Sequence, residues 1–180
     1  RSRKVAQDLF SKAEYHIFVS DQNKRLAERQ LAQSLPNALV LQNPVNLSDI
    51  SLVPWPDRST ICFASVARLE VAFKCQDVLF ETLSLPIWQE RDWQCHLYGA
   101  GPDRAYLEAL AEYYGITNKV KFMGHVDNVR SIWLDNHILL LPSRAEGTPL
   151  ALVETMLCGR PAVVTDVGGN AEWIEDDRTG

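Results

Sequence analysis

From Ile61 onward, short apolar runs recur at regular intervals. Between them lie stretches whose apolar residues return every three or four positions. The runs Ile61–Ala67, Gln94–Tyr98, Val120–Met123, His137–Leu141 and Ala162–Thr165 predict strands. The intervening periodicity predicts helices over Gln76–Leu83, Arg104–Tyr114 and Asn128–Trp133, a helix from about Leu150, and a helix start at Ala171. Strands that alternate with helices in this way predict an α/β fold, a doubly wound parallel sheet. Right-handed crossovers then gather the loops after the strands on one edge, where such sheets bind ligands.

The pattern before Ile61 is weaker. Residues 5–13 read as the end of a helix, Tyr15–Val19 as a strand, and Ser20 or Asp21 as the cap of a polar helix reaching about Gln33. Leu39-Val40-Leu41 reads as another strand. Residues 43–60 hold Pro44, Pro54 and Pro56 among Asn, Ser and Asp, with little periodicity, which is the signature of a boundary. Two units are therefore expected, 1–60 and 61–180. The first residue is not Met, and Thr179-Gly180 read as the middle of a turn, so the chain is expected to be a piece of a longer one.

The stretch from Ser143 to Arg160 stands between two of the predicted strands. Glu146 opens a turn with Gly147, Thr148 and Pro149. The helix follows from about Leu150, with Pro149 at its first turn, where a missing N–H costs nothing. Glu154 comes one turn into that helix. Two carboxylates thus meet the carboxyl edge of the sheet beside a helix N-terminus, whose free N–H groups can hold an anion. Strand, turn and helix occur in every α/β domain, however, and spacing alone favours that plain reading.

Composition narrows the classes. The chain has 180 residues, is 46% hydrophobic and 23% charged, and has a formal net charge of -5. Residues 1–60 carry 8 Lys and Arg against 6 Asp and Glu, and residues 61–180 carry 10 against 17. An acidic body lacks the basic stripe of a nucleic-acid surface. Cys62, Cys75, Cys95 and Cys158 form no C-x-x-C pair and read as reduced, buried thiols rather than metal ligands. The 4 His are scattered, so no metal site is expected. No apolar run reaches the ~20 residues of a membrane span, and no signal peptide is visible.

Other motifs add partial signals. Arg68 and Lys74 follow the first regular strand, and two cations there can clamp a diphosphate; alone they read equally as solvated charges. Gly99-Ala100-Gly101 suggests a dinucleotide turn, but Arg104 stands at the third Gly and Lys119 at the ribose acid, so it reads as a tight strand-to-helix turn. Gly168-Gly169 reads as a permissive turn. No Walker sequence and no G-x-S-x-G is present.

Taken together, these residues resemble a family. Arg68 and Lys74, Gly99-Ala100-Gly101-Pro102, Val120–Gly124, Leu141-Pro142-Ser143-Arg144 with Glu146-Gly147, Glu154, Gly159-Arg160-Pro161, and Thr165–Asn170 with Glu172 are similar to retaining glycosyltransferases of family 4. The resemblance covers 61–180 closely and 13–46 more loosely, and Glu146 and Glu154 match its E-x7-E pair. It implies a GT-B architecture of two Rossmann-like domains. Residues 61–180 would be the C-terminal, sugar-nucleotide-binding domain, and 1–60 the tail of the acceptor-side domain plus linker.

The resemblance also implies roles. Arg68 and Lys74 would bind and stabilise the departing diphosphate, with no cofactor and no obligatory metal. Glu146 would touch the donor sugar, with Gly147, Thr148, Pro149, Leu150 and Ala151 approaching sugar and phosphate. Glu154 would take the ribose hydroxyls, and Gly124, His125 and Val126 would lie against the base. Partners implied are a UDP-, GDP- or ADP-sugar and, through the rest of the acceptor-side domain, a glycan, lipid or small-molecule acceptor. The expected setting is cytoplasmic, with peripheral contact at the inner face of a membrane for the whole protein. This piece alone would not turn over. Where the family usually has Gly after the Lys of the first loop, this chain has Cys75, which keeps open a degenerate or regulatory nucleotide-binding module. A phosphorylase of similar fold would need a pyridoxal-binding Lys that nothing signals.

Overall fold

Phe63 and Ala64 are neighbours in sequence, yet each is buried on a different face of the same sheet. The computed structural model describes residues 2–45 and 47–178; the turn expected at Thr179-Gly180 lies outside them. Its N-terminal elements are α1 (Ser2–Lys12), β1 (His16–Phe18), α2 (Asp21–Leu31) and β2 (Ala38–Val40), with β1 and β2 pairing in parallel. Ser20 caps α2 by accepting from the Asn23 N–H at 3.1 Å, the role its hydroxyl predicts.

The larger sheet has five parallel strands in the order β5-β4-β3-β6-β7. These are β3 (Ile61–Val66), β4 (Trp93–Tyr98), β5 (Val120–Gly124), β6 (Ile138–Leu141) and β7 (Ala162–Val164). The helices between them are α3 (Val71–Lys74), α4 (Gln76–Leu83), α5 (Pro86–Gln89), α6 (Arg104–Tyr113), α7 (Val129–Asp135) and α8 (Leu150–Leu157). Side chains alternate across each strand. Phe63, Cys95 and Leu97 therefore join Leu79, Phe80, Leu83 and Leu107 on one face, and Ala64, Tyr98, Leu139 and Leu141 join Trp133 and Leu152 on the other. The expected doubly wound sheet is present. Strands are added outward from β3 through β4 and β5 on one side and through β6 and β7 on the other, so the crevice above the carboxyl ends of β3 and β6 is the topological switch point.

Three local expectations change. Val71–Lys74, read as loop, is one turn of helix, because Asp103 reaches from the β4–α6 loop to accept from the Val71 N–H at 2.8 Å. Pro86–Gln89 is a second single turn, with Pro at its start. Such turns are too short to show periodicity. The helix expected at Ala171 is a 3-10 turn, Asn170–Glu172.

No helix or strand forms in the described part of 41–60, as its prolines predict. That segment is nevertheless tied down. Arg130 donates to the carbonyls of Asp49 (3.0 Å) and Ser51 (2.6 Å). Arg160, only 4% exposed, donates to the carbonyls of Val53 (2.9 Å), Pro54, Trp133 (2.6 Å) and Asn136 (3.1 Å), and stacks over Trp55.

Candidate functional site

The loops after β3 and β6 meet at the switch point, joined by an ion pair. Lys74 Nζ donates to Glu146 Oε1 at 2.7 Å, with the two side chains 24% and 9% exposed. Lys74 reaches this position because α3 is a single turn ended by Cys75, whose φ of 51° redirects the chain straight into α4. That backbone region favours glycine, the residue expected after the Lys of the first loop, and this chain makes the bend with a buried cysteine. One of the three ammonium donors is engaged with Glu146, leaving others for a phosphate.

Arg68 behaves differently. Its side chain is 66% exposed and only loosely paired with Glu70, at 3.3 Å. Its main chain is fixed, because buried Gln76 donates to the Arg68 carbonyl at 2.9 Å. A guanidinium on a fixed backbone and a loose side chain can swing onto an incoming anion. Gln76 carried no signal in the sequence: a Gln at a helix start means nothing until its neighbour in space is known.

The β6–α8 turn is held from two sides. Gly169 N–H donates to the Gly147 carbonyl at 3.1 Å, and the backbone of Gly168 lies against that of Glu146. On the other side, the Thr148 hydroxyl accepts from the Asn43 N–H at 3.0 Å and donates to the Val19 carbonyl at 3.3 Å. The Asn23 amide donates to the Glu146 carbonyl at 3.1 Å. The Thr148 side chain thus serves the contact with the β1–β2 unit, which leaves only its backbone for the expected contact with sugar or phosphate. Leu150 N–H is likewise engaged, by the Thr148 carbonyl at 2.9 Å, and Pro149 has none. Among the described residues, the N–H groups of Gly147, Thr148 and Ala151 have no protein acceptor. These three are the donors the turn can offer an anion.

Glu154 sits half-buried on α8, and its carboxylate has no hydrogen-bond or ion-pair partner among the described residues. Burial pushes its pKa above the ordinary carboxylate value. The folded-state pKa is raised, so the stability Glu154 contributes is fully present below the unfolded value and is lost as pH rises through the folded one. Hydroxyl groups donating to this carboxylate favour its ionised form and oppose the shift. Binding a ribose there should therefore release protons at pH values just above the ordinary carboxylate range and progressively fewer toward neutrality. Calorimetric titration with a nucleoside diphosphate in two buffers of different ionisation heat measures this. Proton uptake, or no release at the acidic end, would remove Glu154 from the ribose site.

Between the ends of β3, β4 and β5 lies a cavity of 410 Å³ lined by Val66, Arg68, Tyr98, Gly99, His125 and Val126. Gly124 closes β5 beside it, its carbonyl accepting from the Gly99 N–H at 2.7 Å. His125 is mostly exposed and pairs with Asp127 at 3.2 Å. Arg68, His125 and Val126 are thus brought together at one cavity, whereas Lys74 and Glu146 meet each other across the switch point. A second cavity, of 380 Å³, lies between α2 and the loops after β6 and β7 and includes Glu146. No cluster of metal-ligating side chains occurs among the described residues, and none of their helices is long and apolar enough to cross a membrane.

The parallel, Rossmann-like α/β sheet is the fold of GT-B glycosyltransferase structures. The chain belongs to the family Glycosyl transferases group 1, which matches residues 59–180. It is 29% identical over 149 residues to the gpi3 component of the phosphatidylinositol N-acetylglucosaminyltransferase of Schizosaccharomyces pombe, covering 81% of this chain and 31% of that protein. Over 175 residues it is 29% identical to the Escherichia coli lipopolysaccharide 1,6-galactosyltransferase, covering 93% of this chain and 47% of that one. Among solved structures, the lipopolysaccharide outer core galactosyltransferase WaaB in its apo form superposes with a TM-score of 0.78 at 28% identity, over 94% of this chain and 48% of the other. Anabaena HepE, in complex with UDP and glucose, superposes with a TM-score of 0.76 at 23% identity, over 96% of this chain and 50% of the other. The chain therefore spans half or less of the length of these proteins.

Proposed function

We propose that this chain is the sugar-nucleotide-binding part of a retaining glycosyltransferase of family 4. The observation that carries this is the Lys74–Glu146 pair at the switch point, with the three free N–H groups of the following turn beside it. Arg68 and Lys74 hold the donor's diphosphate and stabilise its charge as it leaves, with no metal required for that role. Glu146 exchanges its bond to Lys74 for the hydroxyls of the donor sugar once the phosphate engages the ammonium. Gly147, Thr148 and Ala151 supply backbone donors, and Glu154 takes the ribose. Gly124, His125 and Val126 border the base.

The transfer is a front-face displacement. The C1–oxygen bond to the diphosphate breaks and the acceptor oxygen bonds to C1 on the same face. The acceptor's proton passes to the departing phosphate oxygen. In the whole protein, residues 1–60 belong to the acceptor-side domain and its linker, and the remainder of that domain holds the acceptor; the described piece binds donor without turning over. Relatives named for phosphatidylinositol and lipopolysaccharide support a lipid or glycan acceptor.

Calorimetric titration with UDP and UDP-glucose first, then with GDP, ADP and their sugars, tests this reading. One diphosphate should bind in preference to the others. Glu154→Ala should weaken every ribonucleotide alike, and Glu146→Ala only those bearing a sugar. Folded protein that binds none of them, or two variants that behave identically, would withdraw the assignment of these carboxylates.

A further inference from the structure

The 380 Å³ cavity has an unusual balance of charge for so acidic a chain. Arg25 and Arg29 stand one turn apart on α2 and line it from one side; Arg144 lines it from the other. Among the described residues, none of the three has an ion-pair partner or a side-chain hydrogen bond. Two acids also line the cavity. Glu146 is already paired with Lys74, which leaves Asp166, among the described residues, as the single unpaired carboxylate lining the cavity together with three exposed arginines. Like charges that border one space favour an anion between them, and guanidinium groups match phosphate oxygens geometrically.

Position gives the cluster its meaning. One wall of the cavity is the Glu146 turn, and the Asn23 amide bonds the Glu146 carbonyl at 3.1 Å, so α2 and the turn are held in register. On the donor-site reading above, Glu146 marks the sugar end of the donor. Arg25 and Arg29 therefore lie on the acceptor-side unit and Arg144 on the loop that carries Glu146, next to the reacting sugar and away from the 410 Å³ cavity lined by Arg68.

Resting on that donor-site reading, we propose that Arg25, Arg29 and Arg144 bind a phosphate group carried by the acceptor, and so select phosphorylated acceptors over neutral ones. The phosphate belongs either to a lipid headgroup or to a soluble phosphorylated acceptor. In both cases it anchors the acceptor beside the sugar without taking part in bond exchange.

The test uses the chain as it stands, titrated with glycerol 3-phosphate and separately with UDP. The double variant R25Q/R29Q should weaken glycerol phosphate by about fivefold, two partly solvated ion contacts being lost, and leave UDP binding unchanged. Arg68→Ala should do the reverse. Both sites lie on the surface, so circular dichroism is expected to show both variants folded. Absence of glycerol phosphate binding in the wild type, equal binding by R25Q/R29Q, or its loss in Arg68→Ala instead would overturn the proposal. If UDP fails to bind while glycerol phosphate remains sensitive to R25Q/R29Q, the donor reading fails and the anion site survives. Co-sedimentation with phosphatidylglycerol vesicles but not phosphatidylcholine vesicles, abolished in R25Q/R29Q, places the phosphate on a lipid. Glycerol phosphate binding without co-sedimentation places it on a soluble acceptor.

Discussion

Replacing Arg160 with alanine should destabilise the protein by about 3 kcal/mol, read as a lower midpoint in urea unfolding. The guanidinium is 4% exposed and has no carboxylate partner among the described residues; its charge is met by backbone carbonyls. Burial pulls its pKa down from the ordinary value, and the carbonyl dipoles are what hold the charged form. Its loss strands the carbonyls of Val53, Pro54, Trp133 and Asn136 in a space that water reaches poorly. Each buried acceptor left unpaired costs about 1–3 kcal/mol, with part recovered by local relaxation. Residues 53–55 should loosen as well, because beside one backbone bond from the Val53 N–H to the Cys158 carbonyl, at 3.2 Å, most of their hydrogen-bonded attachment to α7 and to the β6–β7 connection runs through this side chain. Faster amide exchange in that segment than in β3 would show it. An unchanged urea midpoint in Arg160→Ala would mean the carbonyls find other donors.

Gly168→Ala should cost about 2–4 kcal/mol and also remove nucleotide-sugar binding. Gly168 has a φ of 55°, where an L side chain pays about 1–2 kcal/mol. A Cβ there would lie 1.9 Å from the Glu146 carbonyl oxygen and 2.6 Å from its carbon, so backbone rather than a flexible side chain would have to move. The peptide that must move joins Glu146 to Gly147, which places the first carboxylate and the first free N–H of the candidate site. Urea unfolding measures the stability loss. Titration with a UDP-sugar, at a temperature where the variant is still folded, separates the loss of site geometry from global unfolding. A variant that binds like wild type would show that the turn tolerates a shift of its backbone.

These two residues mark how far the sequence could be read. Gly159-Arg160-Pro161 and Gly168-Gly169 stood out as motifs, but nothing in the string of residues showed which distant segments they touch. Gly168 reads as a permissive turn until the turn after β6 is found packed on its backbone. Arg160 is only the middle of a motif until the linker is found wrapped over it. Boundaries followed local chemistry closely where that chemistry was strong: Gln76–Leu83 forms as expected, and Ser20, Asn128 and Pro149 stand where α2, α7 and α8 begin. The single turns α3 and α5 escaped because too few residues repeat, and because the first depends on an acceptor, Asp103, that lies 32 positions away.

By itself the sequence determined the alternation of strand and helix, the parallel sheet, and the placing of Arg68, Lys74 and Glu146 after strands, with Glu154 on the helix that follows. Periodicity and turn residues are local properties, and right-handed crossovers leave such a pattern few alternatives. Only the tertiary structure decided which of those groups meet. It joined Lys74 to Glu146, left Glu154 half-buried without a partner among the described residues, and turned the Thr148 hydroxyl toward Val19 and Asn43. It also set α2, with Arg25 and Arg29, beside the Glu146 turn. Those outcomes depend on sheet order and on contacts between groups 72 to 129 positions apart, and no local preference encodes them.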